Sequence, residues 1–381
     1  MKLLIFSPYY PPHIGGLETH ADEFNKHLSA KNVSITVFTT RLPAGSPERE
    51  TMHGRVTILR FPAFEIIPNY PLPKFWQSGF WKLFLPLFNE KFDLVISRTR
   101  FFNASILALL YAKTKRTKWI HIEHGSDFVQ LSNKFNSSVA KIYDWTLGRL
   151  VLKLSDKNIA NSAASAGFCK RLSRRDCAVI YRGVEIEKID GLPPTTEIRE
   201  KYPNRTIITF LGRLIDGKGV ADLIQAVAEL EGNYLLFIIG DGPQKRNLEK
   251  LAEKLGISDK IIFWGHKNQA EAVGLLKISD IFVNPSYTEG LPTSVIEAAL
   301  CEKAIIATNV GGTPEIITDS ESGYLIDPKN TDLLKGRLEL LLDNPDLREN
   351  FGKKARRAVY EKFNWDRSIG KYLEIFKKII S

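Results

Sequence analysis

Short apolar runs rich in β-branched residues alternate with longer amphipathic stretches along this chain, and the whole pattern occurs twice. Predicted strands cover residues 3–6, 34–39, 56–60, 94–97 and 119–122 in the first half, and 207–211, 234–240, 260–263, 281–284 and 304–307 in the second. Strands that alternate with helices favour a parallel sheet with helices on both faces. The sequence therefore predicts an α/β protein with two doubly wound domains.

Apolar residues three and four positions apart predict the helices. They cover residues 18–30, 104–113, 219–230, 243–255, 268–277 and 294–300. Glycine and proline interrupt the apolar pattern at residues 190–196, so we place the boundary after residue 190, giving domains of residues 1–190 and 191–364. A last amphipathic helix, within residues 365–381, is expected to dock rather than fray.

The composition, with 44% hydrophobic and 25% charged residues, indicates a folded globular protein. No apolar stretch approaches the roughly 20 residues that span a bilayer, so we expect no transmembrane helix. The amino terminus lacks a signal-peptide cleavage site, so we expect a cytoplasmic protein. Cys169, Cys177 and Cys301 are an odd number without a C-x-x-C pair, so we expect reduced thiols rather than disulfides or a zinc site.

The positive charge is concentrated in the first half of the chain. Residues 1–190 contain 27 Lys and Arg against 16 Asp and Glu, a net charge of +11, whereas the remaining 26 and 27 give −1. This asymmetry favours an anionic partner such as acidic lipid or nucleic acid, and a solvated basic face with no partner explains it equally well. No recognised nucleic-acid motif is present, so we expect no nucleic-acid partner.

Aromatic and basic residues are interleaved in residues 69–92. A helix of this composition can lie in a membrane interface, with Trp76 and Trp81 at the headgroups and Lys82 facing acidic lipid. An ordinary core helix with exposed lysines is the equal alternative, because aromatic residues at helical spacing usually pack in a core.

Two glycine-containing segments follow predicted strands and precede predicted helices. Gly15 and Gly16 can bring backbone N–H groups close to an anion at a helix N-terminus, although a plain tight turn explains them as well. Arg213 and Lys218 flank a second glycine-rich turn, where two cations suit a diphosphate, and a solvated basic turn is the alternative. The Walker A and dinucleotide-binding fingerprints are absent, which disfavours classical kinases and dehydrogenases.

Glu289 and Glu297 flank a loop and the start of a helix. Carboxylates accept hydrogen bonds from sugar hydroxyls, and the loop N–H groups can hold phosphate or sugar oxygens. Helix capping and surface charge explain the same pattern equally well.

Taken together, these motifs resemble glycosyltransferase family 4. The resemblance rests on the order and spacing of Gly15-Gly16, the Gly-Arg-Leu-x-x-x-Lys-Gly run at residues 212–219 and the Glu-x7-Glu run at residues 289–297. Residues 279–286 and 309–315 also look like this family, and the similarity is greatest over residues 205–330.

The resemblance implies the GT-B fold, with two Rossmann-like domains facing across a cleft. The first would bind the acceptor, the second would bind a nucleotide-sugar donor, and the last helix would return to the first. Arg213 and Lys218 would hold the donor diphosphate, as would the backbone at Gly15 and Gly16. Glu289 would contact sugar hydroxyls and Glu297 the ribose, while N–H groups of the loop would cradle sugar and phosphate at Gly290, Leu291, Pro292, Thr293 and Ser294.

His124 resembles the family's active-site histidine and would orient the transferred sugar, so the implied catalytic set is His124, Glu289, Arg213 and Lys218. The family is retaining and needs no metal or other cofactor. The sequence departs from the family at Arg182, where asparagine is more usual, so Arg182 is either an added phosphate contact or a hinge residue.

We therefore expect a retaining hexosyltransferase that uses a UDP- or GDP-sugar. Its acceptor would be a lipid-linked saccharide or another glycan precursor at the cytoplasmic membrane face, in polysaccharide or glycolipid biosynthesis. A GT-B nucleotide-sugar epimerase and a non-catalytic basic lipid-binding module are the alternatives.

Overall fold

The chain folds into two compact units. The first comprises Met1–Gly183 together with Trp365–Ser381, and the second comprises Val184–Asn364. The computed structural model describes residues 1–13, 15–67, 70–128 and 134–381.

The first unit contains an eight-stranded sheet and a separate hairpin. Its strands are β1 (Lys2–Phe6), β2 (Ser34–Thr40), β3 (Arg49–Met52), β4 (Val56–Phe61), β5 (Ala63–Ile67), β6 (Tyr70–Pro73), β7 (Leu94–Arg98), β8 (Trp119–Glu123), β9 (Lys157–Ala160) and β10 (Cys177–Val179). The sheet order is β10-β9-β8-β7-β1-β2-β4-β3, and its pairs are parallel except that β3 runs antiparallel to β4. The antiparallel hairpin is β5–β6.

The first six helices also belong to this unit. They are α1 (Gly16–Ala30), α2 (Ser78–Phe84), α3 (Asn103–Lys115), α4 (Lys134–Tyr143), α5 (Arg149–Leu154) and α6 (Ala163–Ser173). A 3₁₀ turn at Leu85–Asn89 follows α2, and a π turn at Asp144–Gly148 joins α4 to α5.

The second unit contains a six-stranded parallel sheet in the order β13-β12-β11-β14-β15-β16. Its strands are β11 (Thr206–Leu211), β12 (Tyr234–Ile239), β13 (Ile261–Gly265), β14 (Ile281–Asn284), β15 (Ala304–Thr308) and β16 (Tyr324–Ile326). Its helices are α7 (Ile186–Gly191), α8 (Thr196–Lys201), α9 (Val220–Ala228), α10 (Lys245–Lys254), α11 (Gln269–Ile278), α12 (Thr293–Leu300), α13 (Thr331–Asp343) and α14 (Pro345–Lys362).

Both large sheets carry an apolar core on each face. In the first unit, Ile5 and Ile96 face one core while Leu4 and Val95 face the other. Parallel strands buried on both faces read as continuous apolar runs, which is why the sequence shows them so clearly.

The division between the units falls at residues 183 and 184, a short way before the predicted boundary at 190. Val184 pairs with Asn364, and its N–H donates to the Phe363 carbonyl 3.0 Å away, so the chain enters and leaves the second unit side by side. The predicted linker, residues 190–196, is held inside the second unit because the Lys277 ammonium donates to the carbonyls of Asp190 and Leu192.

The last helix, α15 (Trp365–Ile380), lies in the first unit. Its apolar side, with Trp365, Ile369, Tyr372 and Phe376, joins the core that contains Phe24 of α1. None of the described helices is both long enough and apolar enough to cross a bilayer.

Residues 69–92 do not form one helix, so the single helix that both sequence interpretations of that segment assume is wrong. Asn69 lies outside the described residues, and the rest forms β6, α2 and the 3₁₀ turn. The aromatic side chains divide between two environments, because Phe80 and Phe84 are buried in the core whereas Trp76 is 71% exposed.

Candidate active site

The strand order of the second unit reverses between β11 and β14. The chain proceeds from β11 to β12 and β13 on one side and from β14 to β15 and β16 on the other. In open parallel sheets, ligands bind at the carboxyl ends of the strands beside such a reversal. The loops that follow β11 and β14 carry six of the predicted site residues: Arg213, Lys218, Glu289, Gly290, Leu291 and Pro292.

Gly219 allows these two loops to approach each other closely. Its φ is +63°, in the left-handed region that favours glycine, and an added Cβ would collide with the Pro285 carbonyl oxygen. The Tyr287 N–H donates to the Gly217 carbonyl at 2.9 Å, which ties the loop after β14 to the loop after β11.

Lys218 and Glu289 are joined by this arrangement. Lys218 Nζ lies 2.6 Å from Glu289 Oε1, and both side chains are largely buried. The Asn284 side-chain amide approaches the same carboxylate oxygen at 3.4 Å. Arg213 differs, because its side chain is exposed and forms no ion pair with any residue in the described ranges.

The loop before α12 can contact a ligand chiefly through its backbone. Leu291 and Pro292 are buried, and proline has no N–H, so the expectation that all five residues from Gly290 to Ser294 donate is wrong for Pro292. The N–H groups in the first turn of a helix lack intrahelical acceptors and favour anions. The Gly290 carbonyl accepts from the Gly312 N–H at 2.8 Å, which fixes the loop.

Glu297 contacts a neighbouring helix. Its Oε1 accepts from the Gln269 side-chain amide at 3.0 Å, and Gln269 Oε1 accepts from the Lys188 ammonium at 2.8 Å. The Lys188–Gln269–Glu297 chain therefore orients the second carboxylate of the Glu-x7-Glu run.

Gly15 and Gly16 precede and begin α1 in the first unit, and Ile14 lies outside the described residues. An added Cβ at Gly15 would collide with the Glu18 carboxylate, whereas one at Gly16 would meet no atom within 4 Å. Glu18 is held by His13, whose Nδ1 lies 2.7 Å from Glu18 Oε1. The internal packing of the unit therefore does not require glycine at position 16.

His124 follows β8 in the same unit and is half-buried. Burial of its ring and the nearby positive charge of Arg98 lower the pKa of His124 to about 3, so the imidazole is neutral at physiological pH. Its Nδ1 lies 3.5 Å from the Asn161 side-chain amide nitrogen, at the outer limit for a hydrogen bond. Its Nε2 is buried without a hydrogen-bond partner among the described residues.

Family models and a full-length relative match this chain. Residues 14–188 match the model described as Glycosyltransferase Family 4, and residues 195–358 match the one described as Glycosyl transferases group 1. An uncharacterised glycosyltransferase of Methanocaldococcus jannaschii is 38% identical over 391 residues, which cover 100% of this chain and 99% of the relative. The chain belongs to glycosyltransferase family 4.

Two solved structures share the fold of this family 4 glycosyltransferase. Sucrose-phosphate synthase from Thermosynechococcus elongatus matches with a TM-score of 0.83 and 19% identity over 99% of this chain and 98% of its own. Anabaena HepE in complex with UDP matches with a TM-score of 0.79 and 17% identity over 99% of this chain and 100% of its own. The predictions of family and of a GT-B fold with Rossmann-like domains are confirmed.

Motif reasoning missed a buried charge network beside His124. The Glu123 carboxylate is fully buried, and its Oε1 accepts from the N–H groups of His124 at 2.9 Å and Gly125 at 2.7 Å. Arg100 Nη1 lies 3.1 Å from the same oxygen, and Arg100 also pairs with Asp144 at 3.0 Å. The one available signal was the carboxylate directly before His124, at the end of a buried strand.

Arg182 forms an ion pair within the first unit. It is buried, and its Nη2 lies 3.4 Å from Glu23 Oε2. The next residue, Gly183, packs against Trp365 so closely that an added Cβ would collide with the indole ring. These contacts give Arg182 a structural partner at the point where the chain leaves the unit.

The predicted membrane contacts all lie on the surface. Trp76 and Trp81 are exposed by 71% and 43%, and Lys82 is also exposed. The Trp81 indole N–H donates to the Phe75 carbonyl at 2.8 Å, which fixes its ring on the surface. Among the residues that the structure describes, no three His, Cys, Asp or Glu side chains are grouped closely enough to hold a metal ion.

Proposed function

We propose that this glycosyltransferase is a retaining, metal-independent hexosyltransferase that moves a sugar from a UDP- or GDP-sugar to a lipid-linked saccharide or another glycan precursor. The observation that best supports the donor site is the Lys218–Glu289 pair at the strand-order reversal of the second unit. The pair places a cation suited to phosphate next to a carboxylate suited to sugar hydroxyls.

In this proposal the donor exchanges the partners of the pair. The diphosphate binds Lys218 together with the exposed Arg213, whose planar guanidinium can donate to two oxygens. Glu289, released from Lys218, then accepts hydrogen bonds from hydroxyls of the transferred sugar.

The remaining donor contacts come from the start of α12 and from Glu297. Backbone N–H groups at Gly290, Leu291, Thr293 and Ser294 cradle sugar and phosphate oxygens, and Glu297, oriented by Gln269, binds the ribose. Gly15 and Gly16 pass their backbone close to the same diphosphate. The open space at the Cβ position of Gly16 supports this role, because packing alone leaves its glycine unexplained.

The first unit binds the acceptor, and His124 orients the transferred sugar. A neutral imidazole with an unpartnered Nε2 is suited to hydrogen bonding and unsuited to transferring a proton near pH 7. Glu123 and Arg100 position His124 by fixing its backbone N–H.

No dedicated general base is part of this proposal. The leaving diphosphate assists deprotonation of the acceptor hydroxyl on the face where it departs, so the new bond forms with retention. The protein stabilises charge on the diphosphate and on the oxocarbenium-like sugar through Lys218, Arg213 and the fixed N–H dipoles.

The choice of UDP as the first donor to test is supported by Anabaena HepE, whose structure was determined with UDP. The basic first half of the chain supports an acceptor at the cytoplasmic membrane face, because the cytoplasmic leaflet is negatively charged.

The test is release of UDP or GDP from a panel of nucleotide sugars, with and without a lipid-linked saccharide. Wild-type protein should release one nucleotide only with acceptor, equally well in EDTA, and the anomeric configuration of the product should match that of the donor. Glu289→Gln should lose this activity while the protein stays folded, whereas the exposed Glu321→Gln control should keep it. Equal turnover by Glu289→Gln and wild type would remove Glu289 from the mechanism.

A further inference from the structure

Most of the exposed large apolar side chains of the described residues lie on a few helices of the first unit. Outside these helices and the loop before α2, the described chain exposes Met1, Leu255, Leu340, Tyr360 and Ile380. On the helices and that loop they are Phe75, Trp76, Trp81, Leu85, Leu110, Val139, Ile142, Trp145, Leu147, Leu150 and Leu154. We call the outer surface that they form the helical face.

The continuous helical segment formed by α4, the π turn and α5 has one buried side and one exposed side. Its buried positions recur about every four residues, at Ala140, Asp144, Gly148 and Leu152, with Val151 buried beside the last of them. The opposite side carries apolar residues that point to solvent, of which Ile142 is 63% exposed and Trp145 46% exposed. The exposed side of a surface helix normally carries polar and charged residues, so an apolar exposed side indicates a binding surface.

Helices α2, α3 and α5 form one layer, so their exposed residues share one surface. Phe80 of α2, Leu107 of α3 and Val151 of α5 pack into the same core on one face of the sheet. Lysines also connect the helices, because Lys115 donates to the Phe88 carbonyl at 2.7 Å and Lys113 to the Leu154 carbonyl at 2.9 Å. Helix α3 thus lies between the 3₁₀ turn and the end of α5.

The exposed charge on the helical face has one sign. Its helices and 3₁₀ turn, residues 78–89, 103–115 and 134–154, contain a single acidic residue, Asp144, which is buried against Arg100. Exposed lysines on the same elements are Lys82, Lys113, Lys115, Lys141 and Lys153. The Arg149 guanidinium lies 5.8 Å from the ring centre of Trp145, which combines an aromatic ring and a cation at one point.

We propose that the helical face is a membrane-docking surface that binds an anionic bilayer. Exposed indoles and aliphatic side chains enter the headgroup boundary, while the surrounding lysines contact lipid phosphates. Two copies of the chain cannot pair well through this face, because a symmetric contact would oppose like charges. The surface extends beyond Trp76, Trp81 and Lys82 to α3, α4 and α5. This inference rests on the proposed function for its purpose, which is access to a lipid-linked acceptor.

Flotation of the full chain with vesicles tests the docking surface. Wild-type protein should bind phosphatidylglycerol–phosphatidylcholine vesicles and bind pure phosphatidylcholine at least tenfold more weakly. Ile142→Ser/Trp145→Ser/Leu150→Ser should lower the partition coefficient on the anionic vesicles at least tenfold, and Lys141→Gln/Lys153→Gln should lower it severalfold. The matched control is Leu255→Ser/Leu340→Ser/Tyr360→Ser, which removes similarly exposed apolar residues from the second unit and should bind as wild type does.

Thermal unfolding and UDP or GDP titration of every variant separate this inference from the proposed function. Loss of vesicle binding with unchanged melting temperature and unchanged nucleotide affinity supports the docking surface. Wild-type binding by the Ile142→Ser/Trp145→Ser/Leu150→Ser variant, equal binding to neutral vesicles, or a wild-type dimer that this variant abolishes would each overturn it. Vesicle binding without any nucleotide binding would leave the surface intact and refute the donor site.

Discussion

Lys218 Nζ lies 2.6 Å from Glu289 Oε1, so the principal cation and the principal carboxylate of the candidate donor site neutralise each other before a donor is bound. The two residues are 71 positions apart in the chain and meet because β11 and β14 are neighbours in the sheet. A diphosphate must compete with Glu289 for Lys218, and hydroxyls of the sugar can then donate hydrogen bonds to the Glu289 carboxylate.

Removing either member of this pair should have different consequences. Lys218→Ala deletes a charged hydrogen-bond donor to phosphate and should weaken nucleotide binding by about 1.5 to 3 kcal/mol, which exceeds tenfold. Glu289→Gln removes the competitor of the phosphate and should keep or improve affinity for the free nucleotide while transfer is lost. Titration calorimetry with UDP and GDP measures both, with the exposed Lys250→Ala as the matched control. Equal losses of nucleotide affinity in both variants would contradict the exchange of partners.

Gly16→Ala should separate donor binding from folding. The position has open space and begins α1, so an added methyl should leave the free energy of unfolding unchanged or raise it slightly. If the backbone of Gly16 approaches the diphosphate, the same methyl should weaken donor binding. Gly370→Ala, at another open position in the same unit, is the control and should leave donor affinity unaltered. Unchanged donor affinity in Gly16→Ala would show that the backbone at Gly16 does not approach the bound diphosphate.

Glu123→Gln should destabilise the first unit and impair catalysis together. The substitution leaves the Arg100 charge without one of its two buried partners, and breaking a buried pair typically costs about 3 to 5 kcal/mol. The substitution also alters the group that accepts from the His124 backbone N–H, so the molecules that stay folded should show a lower kcat. Urea unfolding and steady-state kinetics provide the two measurements. The exposed Glu48→Gln should change neither, and a Glu123→Gln protein with wild-type stability would show that the network is dispensable.

Stability should fall as the pH drops below about 6.5. Burial lowers the pKa of His124 to about 3 and that of His20 well below its usual value, so both stay neutral in the folded chain while the unfolded chain takes up protons near pH 6.5. The unfolded state then binds more protons, and the free energy of unfolding decreases between pH 6.5 and 4.

Urea midpoints at pH 7, 6, 5 and 4 measure this dependence. His124→Asn should reduce the slope by close to one proton, because it removes one of the two histidines whose pKa is lowered in the folded chain. His266→Asn, which removes a histidine of the second unit, serves as the control. A slope that is identical in the wild type and His124→Asn would show that His124 takes up its proton over the same pH range in the folded and unfolded chains, which contradicts the lowered pKa.

The ten strands predicted from sequence are all present, because strands buried on both faces of a parallel sheet produce continuous apolar runs. The missed strands lack such runs. β3 is the sequence Arg-Glu-Thr-Met at a sheet edge with alternating exposure, and β10 and β16 have only three residues each. Local periodicity carries too little information in so short a segment.

The candidate site could be predicted from the sequence where its residues lie in motifs, and could not where residues meet only through the fold. Motif spacing and family resemblance identified Lys218 and Glu289 before their contact was known. Glu123, Arg100 and Asp144 come from three separate segments, and one sequence contains no signal of their proximity. Similarly, aromatic spacing near Trp76 could not separate rings that enter the core from rings that remain on the surface.

Calorimetric titration with UDP and GDP, with and without EDTA, tests the central claim most directly. Wild-type protein should bind one of the two nucleotides with the same affinity in EDTA, and Arg213→Ala/Lys218→Ala should bind it far more than tenfold more weakly, since each lost charged contact costs about 1.5 to 3 kcal/mol. A folded wild-type protein that binds neither nucleotide, or a double variant that binds as tightly as the wild type, would contradict the donor site proposed for this glycosyltransferase.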